Sequence, residues 1–306
     1  MKTIVTTTIN KPTEATLKFC LQTDWNMIVV GDKKTPHKDY YELEKKFSNL
    51  KYLHPDEQEK KYKKVSDAIG WNSIQRRPIG YIEAYNNGSE IIATVDDDNI
   101  PYDGWGKDLL VNKEVSVDYY ECKSEAFDPL SITNQSHLWH RGYPIDLLKT
   151  RHNVEKKGQI KRKVLIQADL WDGDPDIDAM ARLTFRPSVR FDVDKPYCSN
   201  KISPFNSQNT FLSRDVFPNY VVFPHVGRMD DIWGGYITQY YHPNSVVYNK
   251  PTVCQVRNEH DIVEDLEKEI IGYRHTFNLI EDLENWETYL PDETKTFYEE
   301  YKKAFK

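Results

Sequence analysis

Ile91-Ile92-Ala93-Thr94-Val95 runs straight into Asp96-Asp97-Asp98-Asn99. The first five residues are mostly apolar and β-branched and read as a buried strand; a carboxylate cluster at its end is delivered to a cleft. In an extended chain alternate side chains share a face. Asp96 and Asp98 therefore fall on one side and Asp97 on the other, unless the backbone turns first. Converging carboxylates repel one another, and a hard cation such as Mn²⁺ or Mg²⁺ relieves that repulsion while leaving coordination positions for phosphate oxygens. The triplet is a candidate metal and diphosphate site, although three adjacent acids would also suit a polar loop entrance or a helix cap.

Working outward toward the N-terminus, residues 2–9 predict a first strand, residues 14–20 a short helix, and residues 25–30 a second strand ending in Gly31-Asp32-Lys33-Lys34. This is an α/β rhythm, and Asp32 falls where a parallel sheet meets a nucleoside at its carboxyl edge. There is no Gly-x-Gly-x-x-Gly fingerprint, which weakens a dinucleotide-binding reading. A helix is predicted over 55–69, opening on His54-Pro55-Asp56. Arg76-Arg77-Pro78 leads into a second helix over 79–86 and then into the acidic strand, so Arg76 and Arg77 are either diphosphate neighbours or a solvated pair.

The 306 residues, 39% hydrophobic with seven Trp, 20 Tyr and 12 Phe, are enough for a large core and argue against disorder. A formal charge of −7 gives no overall case for nucleic acid, though a basic cleft would survive that average. Cys20, Cys122, Cys198 and Cys254 are far apart and lack zinc-ligand spacing. They read as reduced thiols of a cytoplasmic protein. No apolar run approaches bilayer length and no signal peptide opens the chain; attachment to a membrane would be peripheral.

Downstream, residues 164–168 predict a strand followed by Asp169-Leu170-Trp171-Asp172-Gly173-Asp174-Pro175-Asp176-Ile177-Asp178. This segment lacks the twelfth-position Glu of an EF-hand, and its Pro-centred turn could hold Asp176 or Asp178 over a polar substrate. The 203–210 run is rich in Ser, Asn and Gln, the groups that recognise sugar hydroxyls or satisfy a turn. Asp230 and Asp231 open an apolar helix, where a carboxylate is electrostatically at home. Charged helical patterns follow over 261–269, 276–286 and 289–306.

These motifs occur in a familiar order. The chain resembles the reversibly glycosylated polypeptides, which include UDP-arabinopyranose mutases, and resembles still more the STELLO-type glycosyltransferase domain. The resemblance is carried by Thr7-Thr8-Ile9-Asn10-Lys11-Pro12, Val29-Val30-Gly31-Asp32, Arg76-Arg77-Pro78, Asp96-Asp97-Asp98-Asn99, Arg141-Gly142-Tyr143-Pro144, the 173–179 and 204–209 segments, Asp230-Asp231-Ile232-Trp233 and Arg257-Asn258-Glu259-His260-Asp261. It covers most of the chain.

The resemblance implies an α/β, GT-A-like Rossmann-type nucleotide-sugar-binding fold with a mixed central sheet. Residues 1–255 would form the catalytic domain, and 256–306 a helical C-terminal extension packed on it. It further implies transfer of a sugar from a nucleotide sugar, expected to be UDP-linked, to a hydroxyl of a glycan or other acceptor. Asp96 and Asp98 would hold Mn²⁺ or Mg²⁺, with His260 completing the shell. Asp32, Arg76, Arg77, Asp96 and Asp97 would bind the donor. Asp230 or Asp231 would take or orient the acceptor proton, with Asp176 and Asp178 as alternatives. Arg141 matches the mutase arginine associated with reversible glycosylation, but the 206–209 segment follows the STELLO-type pattern and favours transfer to a separate acceptor. A pyranose/furanose mutase with self-glycosylation and a non-catalytic carbohydrate-binding or assembly domain are the alternatives. A nucleic-acid acceptor and a homo-oligomer are left open.

Overall fold

The computed structural model describes residues 1–257 and 261–305. β1 (Lys2–Thr8) leads to Thr13, whose hydroxyl accepts from the Thr16 N–H and so caps α1 (Glu14–Cys20). β2 (Asn26–Gly31), α2 (His37–Lys46) and β3 (Leu50–Leu53) follow. α3 (Pro55–Ile69) and α4 (Arg77–Asn86) each carry a proline in the first turn, where a missing N–H has no intrahelical partner to lose. α4 feeds β4 (Ile91–Val95). These four strands are parallel and lie in the order β3-β2-β1-β4. The order reverses at β1, and such a reversal opens a crevice beyond the strands' carboxyl ends. Asp96 stands on that edge.

Beyond β4 the directions change. β5 (Asn99–Pro101), β6 (Glu114–Cys122), β7 (Val154–Lys163), β8 (Ile166–Gly173), α5 (Ala179–Phe185), β9 (Tyr197–Ser199), β10 (Asn209–Ser213), α6 (Asp230–Tyr241), β11 (Val246–Gln255), α7 (Ile262–Glu281) and α8 (Asp292–Lys303) complete the described elements. β10 pairs antiparallel with both β4 and β8, and β11 runs parallel to β8. β9, β6 and β7 extend the same sheet on the far side of β11, to which β5 also pairs. All eleven strands form one sheet.

The expectation of a GT-A-like Rossmann-type fold is therefore corrected. The all-parallel part stops at β4, and one continuous mixed sheet runs on without the break that would bound a single Rossmann-type unit. Two smaller differences have physical causes. Residues 169–173, expected as an acid-rich segment after a strand ending at 168, are the second half of β8, held there by β11 through Asn249, Val253 and Gln255. The helical patterns over 261–269 and 276–286 merge, because α7 runs unbroken to Glu281 and a 3₁₀ turn takes over from Leu283.

Both faces of the sheet are covered. Ile79, Ile82, Tyr220, Trp233 and Tyr301 belong to the core on one face, and Phe19, Trp25, Trp105 and Phe211 to that on the other. α7 lies against the 227–229 turn and α5, and α8 lies on α3. Gly227 makes the first of these contacts: its φ is 59°, and a Cβ there would sit 2.1 Å from the Lys268 carbonyl oxygen. One outer edge of the sheet is β7, with Lys156, Lys157, Lys161, Arg162 and Lys163 along it; the other is the four-residue β3.

Candidate active site

A cavity of about 500 Å³ opens at the carboxyl edge of β4, β8 and β11. Asp96 lines it as the first residue after β4. The Asp96 carboxylate is ion-paired with Arg77, which is buried at the start of α4 and also donates to the Ser207 carbonyl at 2.9 Å and the Ser207 hydroxyl at 2.7 Å. Burial outweighs this guanidinium and holds the Asp96 carboxyl above its usual range.

Opposite Asp96, the turn before α5 and the N-terminus of α6 converge on Arg141. Its Nε donates to both Asp176 oxygens at 2.9 and 3.0 Å, and its Nη2 to Asp176 Oδ2 at 2.8 Å. The same Nη2 lies 3.0 Å from Asp231 Oδ1; Nη1 lies 3.6 Å from Asp230 Oδ1 and also donates to the Arg228 carbonyl. Gly142, with φ 72°, lets this loop approach Ile232 on α6, where a Cβ would meet the Ile232 side chain at 2.4 Å. One buried guanidinium thus meets three carboxylates.

The surroundings separate those acids. Burial opposes charge on Asp176, but Arg141, Arg228 and Arg257 outweigh it and hold its carboxyl far below the usual range. Asp231 is also buried, and Arg141 together with the Ser207 N–H at 2.7 Å and hydroxyl at 2.8 Å keeps it low. Asp230 goes the other way: burial and the Asp231 charge push it up to about 7, even with Arg141 nearby. Gln75 Nε2 donates to its Oδ2 at 2.7 Å, and the Asp231 N–H to its Oδ1 at 2.9 Å. Two adjacent acids driven apart in this way divide into a fixed charge and a proton acceptor.

The remaining expected residues stand elsewhere. Arg76 is corrected: it is fully buried, its guanidinium donates to Gln58 Oε1, the Gly70 carbonyl and Ser66 Oγ, and it stacks on Trp71, leaving no face for a diphosphate. Asp32 accepts from the N–H groups of Lys33, Asn72 and Ser73, and so shapes the cavity wall without lining it. Asp97 turns toward the β1–α1 loop, accepting from Thr8 and Asn10. Asp178 caps α5 through the Met180 N–H and meets Tyr273, outside the cavity lining.

Sequence reasoning missed Arg228, which lines the cavity and joins Asp176 at 3.5 Å to Asp265 and Glu269 of α7 at 3.2 and 2.9 Å. Its position two residues before Asp230 was the available signal. Ser207 and Asn206, expected either to recognise sugar hydroxyls or to satisfy a turn, hold Asp231 and Asp176 in place.

Among the described residues no three His, Cys, Asp or Glu side chains are grouped to hold a metal ion. Of the expected ligands, Asp96 lines the cavity, Asp98 does not, and His260 lies outside the described residues. An Mg²⁺-type ion that arrives on phosphate oxygens and keeps part of its water shell needs only one or two carboxylates. Asp96 fits that requirement.

No protein-family model matches the chain. Over 258 residues the chain is 25% identical to "Probable glycosyltransferase STELLO2" and to "Probable glycosyltransferase STELLO1", both of Arabidopsis thaliana. That likeness is to STELLO-type glycosyltransferases. At 25% identity it assigns no subfamily. The alignments take in 77% of this chain but 32% of each relative, so the chain spans about a third of the length of the curated relatives it matches. Two crystal structures of glucosyl-3-phosphoglycerate synthase from Mycobacterium tuberculosis, one in complex with phosphoglyceric acid, were also compared. The complex gives a TM-score of 0.44 at 11% identity, covering 90% of this chain and 79% of that one. The other gives 0.42 at 10%, covering 92% and 80%. Scores at this level assign no fold class, and the GT-A label draws no support from them.

Proposed function

We propose that this chain transfers a sugar from a nucleotide sugar, UDP-linked in the first instance, to a hydroxyl of a separate acceptor. One observation carries the reading: Asp96, at the end of β4, shares a single cavity with the split carboxylate pair Asp230 and Asp231. Residues 1–255 would carry the donor, and the 256–306 segment would close the outer wall through Asp265 and Lys268. Mn²⁺ or Mg²⁺ on Asp96 would neutralise charge on the departing diphosphate.

In the transfer, the bond from the anomeric carbon to the diphosphate oxygen breaks with its electron pair leaving on the diphosphate, and the acceptor oxygen forms the new bond. The acceptor proton passes to the Asp230 carboxylate, whose elevated pKa suits a base near neutral pH. Asp231, kept charged, and Arg141 fix its position. Arg228, Arg257 and Lys268 also line the cavity, each ion-paired with a carboxylate, and would exchange that partner to hold phosphate.

Arg141 favours a separate acceptor over self-glycosylation. Its Nε and both terminal nitrogens are taken by Asp176, Asp230, Asp231 and the Arg228 carbonyl, so a sugar could bond to it only by displacing an ion pair. The test is incubation of the purified chain with Mn²⁺ and a panel of UDP-sugars without acceptor, followed by chromatography. Slow UDP release with an unchanged sugar ring, abolished in Asp96→Ala, is expected. Pyranose/furanose interconversion would establish the mutase instead, and tight UDP-sugar binding without any turnover the carbohydrate-binding or assembly reading.

A further inference from the structure

A second pocket, about 340 Å³ and lined in part by Tyr102, Gln167, Asp169, Asn249, Lys250 and Thr252, shares no lining residue with the cavity described above. That volume is within the range of small-molecule sites. Asp169 is only 4% exposed, yet its hydrogen bonds come from neutral groups. Gln167 Nε2 and Asn249 Nδ2 donate to its Oδ1 at 2.8 and 3.1 Å, and the Thr252 hydroxyl donates to its Oδ2 at 2.8 Å. An ionised carboxylate offers about four acceptor positions, so these bonds leave room on Oδ2 for one more donor. The β11 register shifts between Asn249 and Val253, and an irregularity of this kind re-aims side chains out of the ladder. Asn249 and Thr252 reach Asp169 from that stretch.

A carboxylate buried among neutral donors is a costly element of a core that only needs to fold. Its chemistry suits a ligand instead. Amides donate to and accept from vicinal hydroxyls, a carboxylate accepts from them, and the ring of Tyr102, 40% exposed, offers an apolar face for a sugar. Asp169 and Lys250, of opposite sign, make the pocket a poor trap for a simple anion or cation. Tyr102 lies six positions after Asp96, so chain length limits the Cα gap to about 20 Å, which an extended oligosaccharide spans.

We propose that this pocket is a subsite for a polyhydroxylated ligand, one sugar unit of an oligosaccharide acceptor whose far end lies in the catalytic cavity. Its role rests on the glycosyl-transfer reading; its binding chemistry does not. The experiment is saturation-transfer NMR and calorimetry of the full chain with maltohexaose, cellohexaose and xylohexaose, beside UDP as a separate ligand. At least one oligosaccharide should bind. Asp169→Asn should weaken it by about tenfold, the loss of one good hydrogen-bonded contact. Tyr102→Ala, at a half-exposed position that threatens folding less, should weaken it similarly. UDP affinity should stay the same in both variants. If none of the three oligosaccharides binds, or if binding survives both pocket variants, the proposal is overturned. Failure of UDP to bind the unaltered chain counts against the transferase reading alone.

Discussion

Arg141 is the residue on which most of the site's charge depends. Removing it leaves Asp176 and Asp231 buried without their principal cation, and breaking a buried pair by taking one partner costs about 3–5 kcal/mol. Arg141→Ala should lower the urea-unfolding free energy by that amount, and Arg141→Lys should recover little, because a point charge cannot replace the forked bonds to Asp176. Asp230 makes a kinetic prediction. With its carboxyl near 7, transfer should fall on the acid side of neutrality as the base is protonated, and Asp230→Asn should cut kcat by about 10²–10⁴ and abolish that limb of the pH profile. A pH–rate curve unchanged by the substitution would remove Asp230 from the chemistry. Asp96, Asp230 and Asp231 could be picked out from the sequence because strand-end and helix-start acids have local signatures, whereas Arg141 was singled out by the family resemblance. Arg76 could not be told from Arg77: adjacent arginines look alike until the fold buries one under Trp71 and turns the other toward Asp96.

Among the elements, α1, α3 and β4 match the spans expected from local pattern, since caps, first-turn prolines and an apolar run mark their ends. β3, β5, β6, β7, β9, β10 and β11 were missed, because their place in the mixed sheet is defined by partners distant in sequence rather than by their own residues. The same non-local pairing drew Asp169 and Asp172 into β8. The contact between the 227–229 turn and α7 is tight enough to test. Gly227→Ala places a methyl against the Lys268 backbone at a positive φ, and should cost more than about 1 kcal/mol in thermal or urea unfolding. Because Arg228 is the next residue, the same variant should also lose transfer activity; full activity would show that α7 does not help set the cavity.

For the whole molecule, the strand order could not be read from the motifs. Motifs report which residues end strands, whereas continuation of the sheet past β4 depends on β10 pairing antiparallel on its far side. The buried acids also give the molecule a characteristic pH response. Asp178 and Asp230 have folded-state values near 7, well above 3.8, so the folded chain holds protons that the unfolded chain has released. Stability should therefore decline as pH rises from about 4 to 7. Asp176 and Asp231 are shifted downward, and their contribution is lost as pH falls below about 4. Urea midpoints should be higher near pH 5.5 than at pH 8, and Asp178→Asn, which still caps α5, should flatten the alkaline decline. The rim of the sheet bears on association. The outermost rail, β7, is studded with like charges, and a second copy brought alongside would meet Lys and Arg with Lys and Arg. Copies of this chain are thus discouraged from zipping their sheets together, and any self-association should use a helical surface and leave that rail in water.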